Sequence, residues 1–389
     1  MIDSFFVKNF KNLKRLELPG LKRINLFTGK NNTGKSTLLE ALALYVNDGD
    51  VSIIKQLLLE RGEIIGQSGP RGSVNKTPLR KGDVDILSSL FTDRKIGYDF
   101  LNDSIVLSQI KANLFTEIDN TNDELRIGFV MFIDEHTETN DGVIKKRKFI
   151  TDESEAIQNE DDINLGLQIL VNGESNVVRI GDYHLYRRLS NPYRTSESLE
   201  SHPFQLIKSG LASIENSSYL WDQITLTEKE QFVIEALQII EPTIQRIAYI
   251  GDSSRDRTAV VKIKDNEKVV PLKSMGDGIN RILTIILAAV NCSNGYLLID
   301  EFENGLHHSV QEQFWRILIH LSASLNFQIF ATTHSNDCID GFESAIGSSA
   351  DNSIGRLFRL EKDKNDSINI VPFNIDEVKI ATEEHIEIR

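Results

Sequence analysis

The sequence predicts an α/β fold with a largely parallel sheet, its two ends joined around a long mixed insertion. Three observations carry this prediction. Apolar strand-like runs alternate with helical runs near both ends of the chain. The texture turns polar and glycine-rich between about 48 and 240. A glycine-bounded loop also joins the first buried strand candidate to the first helix.

Taken in order, residues 2–7 and 13–18 have strand-like apolar content, and Pro19-Gly20 marks a turn. Residues 24–28 form a short buried strand candidate, and 35–46 carry Leu38, Leu39, Leu42 and Tyr45 at helical spacing. In the middle block, 61–82 is polar and glycine-rich, 127–133, 166–171 and 176–180 are strand-like, and 152–162 is an acidic linker. No sustained heptads and no internal repeat occur there, which argues against a coiled-coil arm. Regular patterning returns at 241. Strands are predicted at 244–250, 259–263, 296–299 and 327–331, with helices at 278–291 and 310–322. The expected organisation is one discontinuous domain of 1–47 and 240–389, with 48–239 inserted as a mixed α/β region for partner contact or regulation.

Composition narrows the class. A chain of 389 residues suggests about two or three structural units, and 40% hydrophobic with 26% charged residues suits a globular protein. The longest apolar stretch, 282–290, is far short of the roughly 20 residues a membrane span needs. The N-terminus lacks a secretory pattern, and Cys292 and Cys338 are too few for a disulfide framework. A reduced, cytoplasmic protein with no membrane partner is expected. Net charge is −14, with 14 acidic and 5 basic side chains in 117–162 against 8 basic and 2 acidic in 1–35. An acidic protein is a poor non-specific nucleic-acid binder, although local basic patches leave nucleic acid open as a partner.

The strongest chemical signal is Gly29-Lys30-Asn31-Asn32-Thr33-Gly34-Lys35-Ser36-Thr37, a complete G-x-x-x-x-G-K-[ST]. Its glycines let successive N–H groups turn inward on phosphate oxygens, and the following helix adds its positive end. Gly29, Asn31, Asn32, Thr33, Gly34 and Thr37 are expected around the phosphates. Lys35 should reach the β- and γ-phosphates, and the Ser36 hydroxyl should hold Mg²⁺. Tyr296-Leu297-Leu298-Ile299-Asp300-Glu301 is the expected counterpart: an apolar strand ending in adjacent carboxylates at the ligand-binding edge of the sheet. There Asp300 would hold Mg²⁺, and Glu301 would orient or deprotonate the attacking water. Thr332-Thr333-His334-Ser335 follows the next strand. His334 either contacts the γ-phosphate or the water, or is simply a satisfied histidine at a strand end. Ser274-Met275-Gly276-Asp277-Gly278 opens a helix and reads equally as an anion-binding start or a plain helix turn.

With these pieces in this order, the chain resembles the ABC-type ATPases of the SMC, RecF and OLD group. It is most similar to the compact "AAA family" ATPases of bacterial anti-phage systems, related to OLD ATPase domains. The resemblance covers roughly 1–47 and 240–389. It implies a P-loop NTPase of ABC-ATPase head type with a mixed α+β insertion between Walker A and the signature motif. It further implies ATP and Mg²⁺ as cofactors. Asn9-Phe10-Lys11 matches the step before the phosphate loop, which implies Lys11 near the nucleotide. Ser274–Gly278 with Arg281 stands in the signature position, Glu303-Asn304-Gly305-Leu306-His307 matches the D-loop, and His334 matches the switch histidine.

Such heads meet face to face, so Ser274 and Gly276 of one protomer would close on the γ-phosphate held by Lys35 of the other. That implies a homodimer, or a higher oligomer, glued by ATP and released by hydrolysis. The departures are informative. Gln67 and Gln109 lack the context of a Q-loop glutamine. The roughly 50 residues after His334 are too few for the Toprim nuclease of OLD proteins. The implied role is an ATP-hydrolysing switch in an anti-phage module that controls a separately encoded nuclease or toxin. The alternative is a RecF-like, DNA-binding repair ATPase. Glu160-Asp161-Asp162, Lys145-Lys146-Arg147-Lys148 and His307-His308 read as a solvated loop, a charge-protected hairpin edge and an ordinary pair without metal spacing.

Overall fold

The computed structural model describes residues 1–63, 81–110, 123–139, 142–150, 163–180, 203–208, 217–251, 257–265, 268–349, 351–364, 366–384 and 386–389. The chain divides into two units. The first comprises Met1–Asp3, Gly20–Leu39 and His202–Arg389, and the second Ser4–Pro19 and Glu40–Ser201.

The second unit is built on an antiparallel sheet. Strands β1 (Ser4–Phe10) and β2 (Leu13–Pro19) form a hairpin, with Asn9 and Lys11 both at positive φ where the chain reverses. Leu16 and Leu18 of β2 are buried while their neighbours are exposed, the period-2 pattern of a one-sided strand, and Leu13 is buried at the start of the strand. The sheet continues through β4 (Ile105–Ser108), β5 (Glu124–Thr139), β7 (Asn164–Val171) and β8 (Glu174–Arg179) in the order β2-β1-β4-β5-β7-β8. β6 (Gly142–Ile150) pairs with β5. Helix α1 (Lys35–Val46) runs from the first unit into the second, the division falling between Leu39 and Glu40. Helix α2 (Val51–Glu60) starts at Asp50, whose carboxylate accepts the Ser52 N–H at 2.6 Å, and it buries Ile54, Leu57 and Leu58. Helices α3 (Lys81–Ser88) and α4 (Phe100–Asp103) also belong to this unit.

The first unit carries the mostly parallel sheet. Its strands are β3 (Ile24–Thr28), β9 (Phe204–Ile207), β13 (Tyr296–Ile299), β14 (Gln328–Thr332), β15 (Gly355–Lys362) and β16 (Ile368–Phe373). The order is β16-β15-β3-β14-β13-β9, and only β15–β16 is antiparallel. β3, β13 and β14 are buried throughout, as expected of parallel strands covered on both faces. Helices α5 (Ser217–Asp222), α6 (Lys229–Leu237), α7 (Asp277–Val290), α8 (His308–Leu325), α9 (Asn336–Gly347) and α10 (Ile375–Glu383) belong to this unit. A small antiparallel sheet of β10 (Ile244–Ile250), β11 (Thr258–Ile263) and β12 (Val269–Pro271) precedes α7. Phe302 stacks on Trp315 at 4.0 Å in the core. Among the described residues no helix is long and apolar enough to cross a membrane.

The expected domain boundaries differ from this division in two places. Residues 4–19, expected with the ATPase head, cluster with the middle block because β1 pairs with β4 as well as β2. The stretch from 202 to 239, expected in the insertion, belongs to the first unit because β9 pairs in parallel with β13 and Leu220, Trp221, Val233 and Leu237 lie in its core. The first strand also begins later than 2–7 predicts. The Ile2 N–H and C=O are taken by the Gln328 side chain, at 2.9 and 2.7 Å, before the ladder begins. Most of 61–82 and the linker at 152–162, with Glu160-Asp161-Asp162, lie outside the described residues, as does Gln67.

Candidate active site

The parallel register fixes where the chemistry collects. Thr332 of β14 stands opposite Phe27 of β3, and Ile299 of β13 opposite Ala331. The residues that follow all three strands therefore emerge along one sheet edge, where ligands of open α/β sheets bind.

After β3 the chain curls through Gly29 (φ +140°), Asn32 (φ +63°) and Gly34 (φ +91°). Gly29 has no substitute, since a Cβ there would stand 2.4 Å from the Leu360 carbonyl oxygen of β15. The Thr33 hydroxyl donates to Lys30 O at 2.8 Å, bracing the turn, and the Leu38 N–H to Gly34 O opens α1 at 2.8 Å. Lys35 folds back over this loop, its Nζ donating to Gly29 O at 2.5 Å and Lys30 O at 3.0 Å. Burial works against its charge and lowers its pKa, while Asp300, Glu303 and Glu301 oppose that shift. Asn31 and Asn32 are exposed at the rim, whereas Thr37 is buried.

Ser36 and Asp300 meet. The Ser36 hydroxyl donates to Asp300 Oδ1 at 3.1 Å, and the Thr332 hydroxyl donates to the same oxygen at 2.6 Å. Thr332 Oγ1 in turn accepts the Glu301 N–H at 2.9 Å, so one side chain of β14 fixes both acidic residues. Glu301 sits at φ +50°, a left-handed conformation that a non-glycine residue adopts only when its surroundings impose it. Arg281 of α7 imposes it from beneath. Nη2 donates to Asp300 O at 2.9 Å and Glu301 O at 3.0 Å, and Nη1 to Lys208 O at 2.9 Å. Burial lowers the Arg281 pKa, opposed by the three nearby carboxylates, while Nε is buried without a protein partner.

His334 lies at the same edge. Its Nδ1 and its backbone N–H each approach Glu303 Oε1 at 2.9 Å. Ser274 and Gly276 lie elsewhere on this unit. Ser274 is exposed in a 3-10 turn, its hydroxyl donating to Pro271 O at 2.7 Å. Gly276 takes φ +105° just before α7, with nothing within 4 Å of where a Cβ would stand. Among the described residues no hydrogen bond joins either of them to the phosphate loop. Lys11 belongs to the second unit, where its Nζ lies 2.7 Å from Glu40 Oε2 in a buried ion pair that Arg61 joins. The His307 and His308 rings pack at 4.2 Å, with His307 capping α8, and no metal-binding group of three or more His, Cys, Asp or Glu occurs among the described residues.

Three participants escape a reading of motifs: Thr332, Glu303 as the partner of His334, and Arg281 as a clamp on the acidic loop. Thr332 and Glu303 flank recognised residues, so their positions were visible but their bonds were not. One of the Arg281 contacts, to Lys208 O, depends on β9, which ends at the residue before it.

Comparison with known proteins finds similar sequences and structures. An "ATP/GTP phosphatase" of Helicobacter pylori is 25% identical over 382 residues, covering 93% of each chain. Similar solved structures include an SmcHead bound to the C-winged helix domain of ScpA (11% identity, 97% of this chain and 99% of that one, TM-score 0.48) and the SMC head domain from Thermotoga maritima (12%, 96% and 99%, TM-score 0.41). The profile of the family described as "AAA domain, putative AbiEii toxin, Type IV TA system" matches residues 24–340, from β3 through the phosphate loop and both carboxylates to His334. With most of its length and all of this sheet edge inside that match, the chain belongs to this family of AAA-domain P-loop ATPases.

Proposed function

We propose that the chain hydrolyses ATP with Mg²⁺ inside a homodimer of ATP-sandwiched heads, and that this dimer switches a separately encoded nuclease or toxin in a bacterial anti-phage module. One observation carries the catalytic reading: the Ser36–Asp300 hydrogen bond, which joins the phosphate loop to a carboxylate 264 positions away. Two hard oxygen donors converging beside a phosphate loop suit Mg²⁺, which prefers octahedral oxygen and keeps phosphate and water among its ligands. Ser36 and Asp300 would hold the ion, which when bound supplies neutralising charge to the phosphates.

The chain's own residues do the rest. The turned-in N–H groups of 29–37 bind the phosphates, with Lys35 set on the β- and γ-oxygens once it leaves the loop carbonyls it now caps. Glu301, held by Arg281 and Thr332, accepts a proton from the attacking water. His334 meets the γ-phosphate or that water from the end of β14. The Helicobacter pylori relative supports nucleoside-triphosphate hydrolysis as the activity. Ser274 and Gly276 are exposed just before α7, which supports closure on a second protomer. The family description names a toxin–antitoxin setting, which suits a chain that works with a separate partner. A cytoplasmic location belongs to the same reading.

The test uses Glu301→Gln, which keeps the acceptor shape and removes the charge. Its MgATP turnover should fall about 10²–10⁴-fold while calorimetry still detects ATP binding. Light scattering should then find a dimer with ATP and a monomer with ADP. A variant that stays monomeric with bound ATP defeats the sandwich. ATP-stimulated, salt-dependent DNA binding without an effector would transfer the chain to the RecF-like alternative.

A further inference from the structure

We propose that Glu303 is a positioning residue for His334: its carboxylate fixes Nδ1 as a hydrogen-bond donor and thereby aims Nε2 at the nucleotide. This inference rests on the reading that His334 meets the γ-phosphate or the attacking water.

The geometry starts with one oxygen. Glu303 Oε1 accepts the His334 backbone N–H at 2.9 Å and faces Nδ1 of the same residue at 2.9 Å. An ionised carboxylate has only acceptor sites, so the ring nitrogen facing it must carry the hydrogen. In water a free imidazole favours the opposite tautomer, with the hydrogen on Nε2. Glu303 therefore selects a form the ring would not choose alone. It also holds both ends of the residue, since grasping backbone and ring with one oxygen leaves His334 little freedom about χ1 and χ2. The Ser335 N–H bonds Thr333 Oγ1 at 3.0 Å on the far side and stiffens the same turn.

The burial is asymmetric in the direction a positioning role requires. The Glu303 side chain is 10% exposed and that of His334 51%. The carboxylate is the anchored member, and the ring reaches out with Nε2 unbonded among the described residues.

A second observation is independent of the histidine. Glu303 Oε2 is buried with no protein partner. It shares its surroundings with Cys338, whose thiol is pushed well up, first by burial and then by the Glu303 charge. A buried acceptor left unmatched costs folding free energy and returns none. Among the described residues the hydrogen-bonding contacts of this carboxylate both go to His334, through Oε1.

Full-length protein labelled with ¹⁵N on its histidine side chains tests this, with the His334 signals assigned through His334→Asn. Wild type should show His334 with Nδ1 protonated. Glu303→Gln, whose amide oxygen still accepts both N–H groups, should keep that signature and keep kcat for MgATP within about threefold. Glu303→Ala should move the hydrogen to Nε2 and lower kcat about 10- to 100-fold, with KM changed less than about threefold. An Nε2–H signature in wild type overturns the proposal, and so does a Gln variant as impaired as the Ala variant. The wild-type spectrum needs no variant to fold and no turnover to be read. An Nδ1–H signature in a protein that never hydrolyses ATP defeats the ATPase reading alone, whereas an Nε2–H signature in an active enzyme defeats this one alone.

Discussion

Lys11 in the second unit and Lys35 in the first are both withdrawn from water beside carboxylates, and their surroundings put them to different use. Lys11 is 7% exposed and touches Glu40, itself 5% exposed, at 2.7 Å, with Arg61 closing on the same carboxylate at 2.8 Å. Burial would raise the Glu40 pKa, but the two cations outweigh it and hold the carboxyl below its ordinary value. Lys35 instead spends its hydrogens on two loop carbonyls, and of the acids around it Asp300 is engaged by the Ser36 and Thr332 hydroxyls. Opposite charges that touch neutralise each other and depend on each other to stay buried. Held one layer of hydroxyls and carbonyls apart, they stay available to a polyanion and its cation. The same pairing of residue types thus makes a strut in one unit and a candidate active site in the other.

Removing Glu40 should break this contrast most severely. Glu40→Ala leaves Lys11 buried without its counter-charge and should lower the stability of the second unit by about 3–5 kcal/mol, read as faster amide exchange across β1, β2 and α2. A Lys11→Met/Glu40→Leu double variant should recover most of that loss, because apolar replacements of a buried pair are often neutral. Should the double variant instead lose MgATP binding, Lys11 has a role at the nucleotide that its ion pair does not explain.

Lys35→Ala should do the reverse. We expect MgATP turnover to drop about 10²–10³-fold, about 3–4 kcal/mol of barrier, with α1 exchange unchanged. A stability loss matching that of Glu40→Ala would mean Lys35 is a strut too.

Acid sharpens the comparison further. Because the folded Glu40 pKa is depressed, its contribution is present in full above the unfolded carboxyl value and is lost as pH falls through the folded one. Stability followed from neutral pH downward should therefore fall less steeply in Glu40→Gln than in wild type. Parallel acid limbs would remove Glu40 from the account. The smallest effect belongs to Gly276→Ala. There is room for the methyl, so only the backbone conformation (φ +105°, ψ 168°) resists it, at about 1–3 kcal/mol. A larger loss of ATP-dependent dimerisation than of stability would support Gly276 as part of the closing surface.

Much of the first unit was legible from sequence. Residues 24–28, 35–46, 244–250 and 296–299 are elements with the same ends in the structure, because apolar runs bounded by glycine, proline or polar turns leave little choice of register. Helix α8 starts two residues before its predicted 310 and ends three after its predicted 322, where Asn326 stops it in a left-handed conformation. β9 was not legible: Phe204-Gln205-Leu206-Ile207 is too short to declare itself, and only its ladder to β13 makes it a strand. β15 and β16 were likewise unpredicted, and the turn between them contains Asp363 and Asp366.

What the sequence determined by itself is local: a loop whose glycines permit its curl, a lysine and a serine behind it, and two acids ending an apolar strand. Spacing along the chain dictates those, since φ freedom and helical or strand periodicity act over a few residues. Only tertiary structure decided that Ser36 reaches Asp300, that Thr332 serves both acids, that Glu303 grips His334 and that Lys11 is occupied by Glu40. Each of these joins side chains brought together by sheet order and helix packing, and a hydrogen bond a few ångströms long is sensitive to that assembly in a way that residue order alone does not record.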